Sequence, residues 1–194
     1  MSRPTPHVDA SGLPRIPALR SERQIAEDVE RIAVRLRDLA HGRVPVFIGI
    51  LKGCFVLLAD LIRAYGEPHE VEFLSLTRVD PTHKDPYSVR VLHDLGTNIQ
   101  GRLVVVVEGI RSRGTKIEYV DRFLRLHEPD EILYAALIRQ RDAATGSVAL
   151  HAWGFEIDRE YVVGYGLDLE EKHRNLPFIG LMEPPDAGQK GPSC

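Results

Sequence analysis

Hydrophobic positions along the chain follow two alternating patterns, one typical of amphipathic helices and one of buried strands. Apolar residues recur at helical spacing from Ile25 to Leu39, behind a possible capping box formed by Ser21 and Gln24. The segment from Val44 to Leu51 is a nearly continuous apolar run and predicts a buried strand. Leu103 to Val107 is uniformly apolar and almost entirely β-branched, as expected for a central parallel strand covered on both faces.

The rest of the chain continues this alternation. Helices are predicted over residues 55–64 and 116–126, strands over residues 71–76, 89–92, 132–138, 152–155, 161–163 and 178–181, and a turn over residues 109–114. Strands that alternate with helices predict an α/β fold with a mostly parallel central sheet flanked by helices on both faces. Ligands of such sheets bind at the carboxyl ends of the strands, so the loops there are the candidate sites.

Proline-rich and polar segments flank and interrupt this pattern. Residues 1–18 predict an extended N-terminal arm, residues 19–183 the folded domain, and residues 184–194 a flexible C-terminal tail. Residues 78–88 are polar, contain two prolines, and predict a long flexible loop.

Composition and charge narrow the class of protein. A length of 194 residues suits one domain. A composition of 43% hydrophobic and 27% charged residues is typical of a globular protein. The formal net charge of −3 does not indicate the excess of positive charge that is typical of nucleic-acid-binding proteins. No apolar run reaches the ~18 residues that a membrane-spanning helix needs. The N-terminus lacks the apolar core of a signal peptide, and two cysteines give neither a disulfide framework nor a metal cluster. We therefore expect a cytoplasmic enzyme or ligand-binding protein that binds neither nucleic acid nor a membrane.

The first candidate loop lies between the strand ending at Leu51 and the next helix. Backbone N–H groups at a helix start can hold an anion, and Lys52 beside Gly53 adds a positive charge. The alternative is an ordinary strand-to-helix turn.

The second candidate loop follows the central strand and spans residues 108–116. Gly109 and Gly114 permit close backbone approach, and three cations lie around them, which suits a phosphate. A solvated basic turn is an equally simple interpretation. A third loop contains Tyr161, which could stack on a planar base, and Asp168, which could bind Mg²⁺; core packing and a surface acid are the alternatives there.

Taken together, the motifs resemble one enzyme family. The order LKG, VVVVE followed by a glycine-rich loop, GFEI, VVGYGLD and RNLPFIG is similar to that of the hypoxanthine-guanine phosphoribosyltransferases. The resemblance runs from about Ile25 to Met182 and is most specific from Trp153 to Gly180. It implies a type I phosphoribosyltransferase fold with a small hood and a flexible lid loop, Mg²⁺ as cofactor, and a homodimer or homotetramer. Such enzymes join hypoxanthine or guanine to the ribose of phosphoribosyl pyrophosphate (PRPP) and release pyrophosphate, through an oxocarbenium-like transition state.

The resemblance also assigns roles to individual residues. The implied catalytic residues are Glu108, Ser112 and Arg174. The implied phosphate- and pyrophosphate-binding residues are Leu51, Lys52, Gly53, Arg111, Arg113, Gly114, Thr115 and Lys116. The base-binding residues would be Gln140, Tyr161 and Val162, the lid residues Arg78 and Val79, and the metal ligands Asp168 and Glu108. In the family the Leu51–Gly53 loop can carry a cis peptide bond that does not involve proline.

The phosphoribosyl loop departs from the family pattern. The family reads E-D-I-I-D-S/T-G-x-T, whereas this chain reads E-G-I-R-S-R-G-T-K. Gly109 replaces the acid that holds the ribose hydroxyls together with Glu108, and Ser112 replaces the acid considered the general base. Arg113 and Lys116 replace hydroxyl residues that cradle the 5′-phosphate.

Two further departures lie outside that loop. Gln140 replaces the lysine that reads the purine 6-oxo group, and Arg78-Val79 replaces the Ser-Tyr pair of the lid. A positioned acid–base group contributes roughly 10²–10⁴-fold in rate, and a lost charge-assisted hydrogen bond costs about 1.5–3 kcal/mol. If the losses are independent, ordinary salvage activity falls by roughly 10³–10⁶-fold.

Three functions are consistent with this sequence. The first is a phosphoribosyltransferase that acts on a purine or related heterocycle, with ordinary salvage activity weak or lost. The second is different chemistry on an anionic substrate in a specialised biosynthetic pathway, with the cations Arg78, Arg111, Arg113 and Lys116 holding that substrate. The third is a non-catalytic, nucleotide-binding regulatory protein. We favour the first, because the segment from VVGYGLD to Arg174 retains the family pattern.

Overall fold

A six-stranded sheet lies at the centre of the computed structural model, which describes residues 16–78, 89–92, 95–112, 116–141, 148–158 and 161–182. The strands are β1 (Ala18–Arg20), β2 (Val46–Leu51), β3 (Glu70–Arg78), β4 (Val89–Val91), β5 (Leu103–Arg111), β6 (Glu131–Gln140), β7 (Ala152–Ile157), β8 (Tyr161–Val163) and β9 (Ile179–Met182). The helices are α1 (Glu22–Ala40), α2 (Phe55–Tyr65) and α3 (Lys116–Arg125).

The sheet is mostly parallel, as predicted. Its strand order is β4-β3-β2-β5-β6-β7, and every neighbouring pair is parallel except the edge pair β3–β4. Strand β5 lies between β2 and β6, and each of its residues is buried. The uniformly apolar, β-branched run of the sequence therefore forms the covered central strand that it predicts.

Helices cover both faces of the sheet. Successive strand residues point to opposite faces, so Phe47 and Val105 pack with α1 and α2, whereas Ile48 and Val104 pack with Ile117 of α3. None of the described helices combines the length and apolar character needed to cross a membrane.

The predicted capping box starts α1. The Ser21 side chain accepts a hydrogen bond from the Gln24 backbone N–H, and the Ser21 N–H donates to Gln24 Oε1 at 3.0 Å. The two bonds satisfy two backbone donors that a helix start otherwise leaves unpaired.

The predicted turn over residues 109–114 was wrong in its first half. Strand β5 continues through Arg111, with Ile110 opposite Ile138 and Arg111 opposite Arg139 of β6. The glycine at the predicted start of the turn does not break the strand, because β6 extends alongside it and supplies ladder partners.

A second, three-stranded sheet of order β1-β9-β8 forms the hood that the family resemblance implies. Strand β1 begins at Ala18, so the last residue of the predicted arm belongs to this sheet, opposite Gly180. Residues 1–15, 79–88 and 183–194 lie outside the described residues, and with them most of the predicted arm and lid loop and all of the predicted tail.

Asp28 joins the hood to the main domain. Its side chain is fully buried and accepts two hydrogen bonds of 2.7 Å from Arg20 of β1. Arg31 donates to the same carboxylate and, at 2.8 Å, to the carbonyl of Gly154 in β7. One buried acid therefore connects β1, α1 and β7.

We predict that Asp28→Ala lowers the free energy of unfolding by about 3 kcal/mol, because it leaves Arg20 without its buried partner. The matched control is Glu27→Ala, which removes an exposed pair with Arg23 and should cost less than about 1 kcal/mol. Urea denaturation measures both changes. Equal losses for the two variants would contradict the role of Asp28.

Candidate active site

The predicted loops meet at the carboxyl edge of the central sheet. Lys52 follows β2, Glu108 lies near the end of β5, and Asp168 lies in the segment between β8 and β9. Lys52 Nζ is 3.1 Å from the carboxylate of Glu171, which joins the first loop to the third. The meeting of the first two loops could be predicted, because parallel strands end at a common edge. The third loop belongs to the separate antiparallel sheet, and its contact with Lys52 is a tertiary one.

The Leu51–Gly53 loop approaches β5 very closely. The peptide bond between Leu51 and Lys52 is cis, as the resemblance predicted. A Cβ placed on Gly109 would lie 2.5 Å from the Gly53 carbonyl oxygen and 2.8 Å from Leu167 Cδ2. A Cβ placed on Gly166 would lie 3.0 Å from the same oxygen. The second acid of the family pattern therefore has no room at position 109 in this backbone.

Glu108 is a buried acid with a side-chain cation beside it. Its side chain is 6% exposed, and Lys116 Nζ lies 2.6 Å from Oε1. Burial first, and then the charge of Glu108, raise the pKa of the Cys54 thiol to about 12. Cys54 therefore stays a neutral packing residue of the core rather than a nucleophile.

The remaining described residues of the phosphoribosyl loop differ in burial and in their contacts. Arg111 is buried at the end of β5, where its guanidinium donates to the Val148 carbonyl at 3.3 Å and lies 3.7 Å from the Glu118 carboxylate. Ser112 follows it and is half-buried. Arg113, Gly114 and Thr115 lie outside the described residues. Both described cations of the loop, Arg111 and Lys116, thus lie beside carboxylates of the chain itself.

Asp168 is also compensated within the chain. Its side chain is 4% exposed, one oxygen lies 2.9 Å from Arg174 Nη2, and the other accepts the Glu171 N–H at 2.8 Å. Arg174 is held further by a 2.8 Å hydrogen bond to the Gly166 carbonyl.

Glu171 is a functional candidate that the sequence analysis missed. Its Oε2 lies 2.9 Å from Arg174 and 3.1 Å from Lys52, and the hydrogen bonds from these two cations lower its pKa. Only the Arg174 neighbour is local; Lys52 is 119 residues away, so no sequence spacing could reveal that contact.

The predicted base-binding and lid residues lie around this edge. Gln140 is the last residue of β6, and Tyr161 and Val162 lie in β8 of the hood, with Tyr161 half-buried and Val162 buried. Arg78 is the last residue of β3, opposite Val89, and Val79 lies outside the described residues.

The acids do not fit a bound Mg²⁺ as they are arranged. Mg²⁺ takes oxygen ligands in octahedral geometry, usually one or two carboxylates with substrate phosphates. Here Glu108 lies beside Lys116 and Asp168 beside Arg174, so each of these carboxylates already has a cation of the chain as its partner. A divalent ion about 4 Å from the Lys116 ammonium would meet a repulsion of about 8 kcal/mol at an effective dielectric constant of about 20, which offsets the attraction of Glu108 at a similar distance.

We predict that Gly109→Asp does not restore a ribose-binding acid but lowers the free energy of unfolding by about 1–3 kcal/mol, because its Cβ forces the Gly53 carbonyl to move. Gly53→Ala is the matched control, since its Cβ would meet its nearest neighbour, Leu167 Cδ2, at 3.4 Å. Thermal and urea unfolding compare the two. A Gly109→Asp variant as stable as the wild type would refute the close approach.

Comparisons with known proteins identify the family of this chain. Residues 17–170 match the phosphoribosyl transferase domain model. The hypoxanthine-guanine phosphoribosyltransferase of Mycobacterium tuberculosis is 34% identical over 83% of this chain and 81% of the relative. The hypoxanthine phosphoribosyltransferase of Salmonella typhimurium is 33% identical over 85% of this chain and 92% of the relative. A crystal structure of a Bacillus anthracis hypoxanthine-guanine phosphoribosyltransferase superposes with a TM-score of 0.79 at 33% identity, covering 87% of this chain and 99% of that one. The chain belongs to the phosphoribosyltransferase family.

Proposed function

We propose that the protein transfers the phosphoribosyl group of PRPP to a purine or closely related base, with low turnover on ordinary salvage substrates. The observation that carries this proposal is the convergence of Lys52 and Arg174 on one carboxylate oxygen, at 3.1 and 2.9 Å. The Glu171 side chain that bears this oxygen is 58% exposed, so a pyrophosphate oxygen can displace it and meet two positioned cations.

The proposed reaction breaks the bond between C1′ of PRPP and its pyrophosphate oxygen and forms a bond between C1′ and a ring nitrogen of the base. Pyrophosphate leaves with the electron pair, and the base gives its ring proton to the departing pyrophosphate or to water. Lys52 and Arg174 would stabilise the charge that develops on the leaving group. Tyr161 would stack on the base, and the Gln140 amide, which both donates and accepts, would bind its exocyclic group.

Low turnover follows from Ser112. A hydroxyl can hydrogen-bond to the base but cannot accept its proton as a carboxylate does, and a positioned general base is worth roughly 10²–10⁴-fold. A base with its own acidic N–H depends less on that group, so such a heterocycle would be the better substrate.

A second candidate is nucleotide binding without turnover. The observation that favours it is the 2.6 Å contact between Lys116 and Glu108, which neutralises the acid expected to act on the ribose. This function predicts a tight complex with a nucleoside monophosphate and no pyrophosphate release.

We predict that Ser112→Asp raises nucleotide formation by about 10²-fold, because it supplies a proton acceptor at the half-buried position after β5. Ser112→Asn is the matched control, equal in size but unable to accept the proton as a base. Mass-resolved chromatography of nucleotide and pyrophosphate, with PRPP, Mg²⁺ and hypoxanthine, guanine, xanthine or adenine, measures the effect.

Equal rates for the Asp and Asn variants would contradict the assigned role of Ser112. Failure of both the wild type and Ser112→Asp to release pyrophosphate with every base tested would overturn the proposed transferase and favour the binding protein.

A further inference from the structure

We propose that Lys116 takes the place of a divalent cation on the ribose side of the site, so that the protein binds PRPP without Mg²⁺. The inference rests on the proposed function, because it concerns how PRPP is held. It departs from the general use of Mg²⁺ with PRPP that the family resemblance implies.

The first support is the position of the Lys116 ammonium. It lies 2.6 Å from Glu108 Oε1, and the two side chains are 27% and 6% exposed. The carboxylate is therefore enclosed, whereas the lysine side chain is partly accessible to solvent. A buried acid near a strand end with a partly open cation beside it is suited to binding an anionic or hydroxyl-bearing group.

The second support is that Lys116 begins α3. The amino end of a helix is the positive end of its dipole, and cations there are disfavoured. A lysine at this position therefore needs compensation from another group, and Glu108 supplies it.

The third support is a balance of charge. Two carboxylates with one divalent ion have the same net charge as one carboxylate with one ammonium. This chain has Gly109 where the family has its second acid, and the Gly53 carbonyl fills the space that this acid would need. For the pair at Glu108 alone, loss of the acid at position 109 and gain of the cation at position 116 give a net charge of zero without a metal.

The fourth support is that the other acids of the site are also paired with positively charged side chains of the chain. Asp168 lies 2.9 Å from Arg174, and Glu171 lies 3.1 Å from Lys52. Each described carboxylate of the site therefore has a positive side chain within ion-pair distance, and each such cation comes from the chain itself.

The test is calorimetric titration of the full chain with PRPP, once in excess EDTA and once in millimolar Mg²⁺. The variants are Lys116→Thr, which introduces the hydroxyl type that the family has there, and Lys116→Arg, which retains the charge. Arg122→Thr removes an exposed positive charge from the same helix and serves as the matched control. Circular dichroism of each variant confirms that it is folded.

The wild type, Lys116→Arg and Arg122→Thr should each bind PRPP with affinities that differ by less than about threefold between EDTA and Mg²⁺. Lys116→Thr should bind about tenfold to a hundredfold more weakly in EDTA, because a charge-assisted contact is lost, and Mg²⁺ should recover part of that loss.

A wild type that loses about tenfold or more of its affinity in EDTA would overturn the inference and leave the proposed function standing. A folded Lys116→Thr variant that binds PRPP as tightly as the wild type in EDTA would also overturn the inference. If Lys116→Thr does not fold, the EDTA comparison of the wild type and Lys116→Arg decides alone. Absence of PRPP binding in both buffers would overturn the proposed function, and the inference with it.

Discussion

A carboxylate buried near the end of the central strand must be compensated by positive charge, and this requirement organises the site. Strand β5 is covered on both faces, so Glu108 cannot rely on water to solvate its charge. Lys116 at the start of α3 provides the compensation at 2.6 Å. The charge that a ligand meets at this strand end depends on this contact, whereas α3 itself is held on the sheet by buried Ile117, Val120 and Leu124.

The close approach of the first loop to β5 is the second constraint. A Cβ would lie 2.5 Å from the Gly53 carbonyl oxygen if placed on Gly109 and 3.0 Å from it if placed on Gly166, so three backbone segments meet closely here, with Leu167 Cδ2 packed beside Gly109. This packing is incompatible with an acid at position 109. The difference from the family pattern is therefore a property of the whole loop arrangement, in which the lost acid, the added lysine and the approaching carbonyl fit one another.

Much of this fold could be predicted from sequence, because its signals are local. The apolar run of β5, the capping box at Ser21 and the meeting of the first two loops at one sheet edge follow from pattern and topology. The continuation of β5 through Arg111 depends on its pairing with β6, which sequence spacing does not show. The contact of Glu171 with Lys52 and the Gly53–Gly109 approach arise only when distant segments pack, so no local signal reveals them.

The most direct test of this account is a double-mutant cycle on the Glu108–Lys116 pair. The unfolding free energies of Glu108→Gln, Lys116→Met and the double variant would be measured by urea denaturation alongside the wild type. The account predicts a favourable coupling energy of about 1–3 kcal/mol, the range expected for groups in one buried ionic contact. Additive effects, with a coupling energy near zero, would show that Lys116 does not compensate Glu108 and would contradict the account.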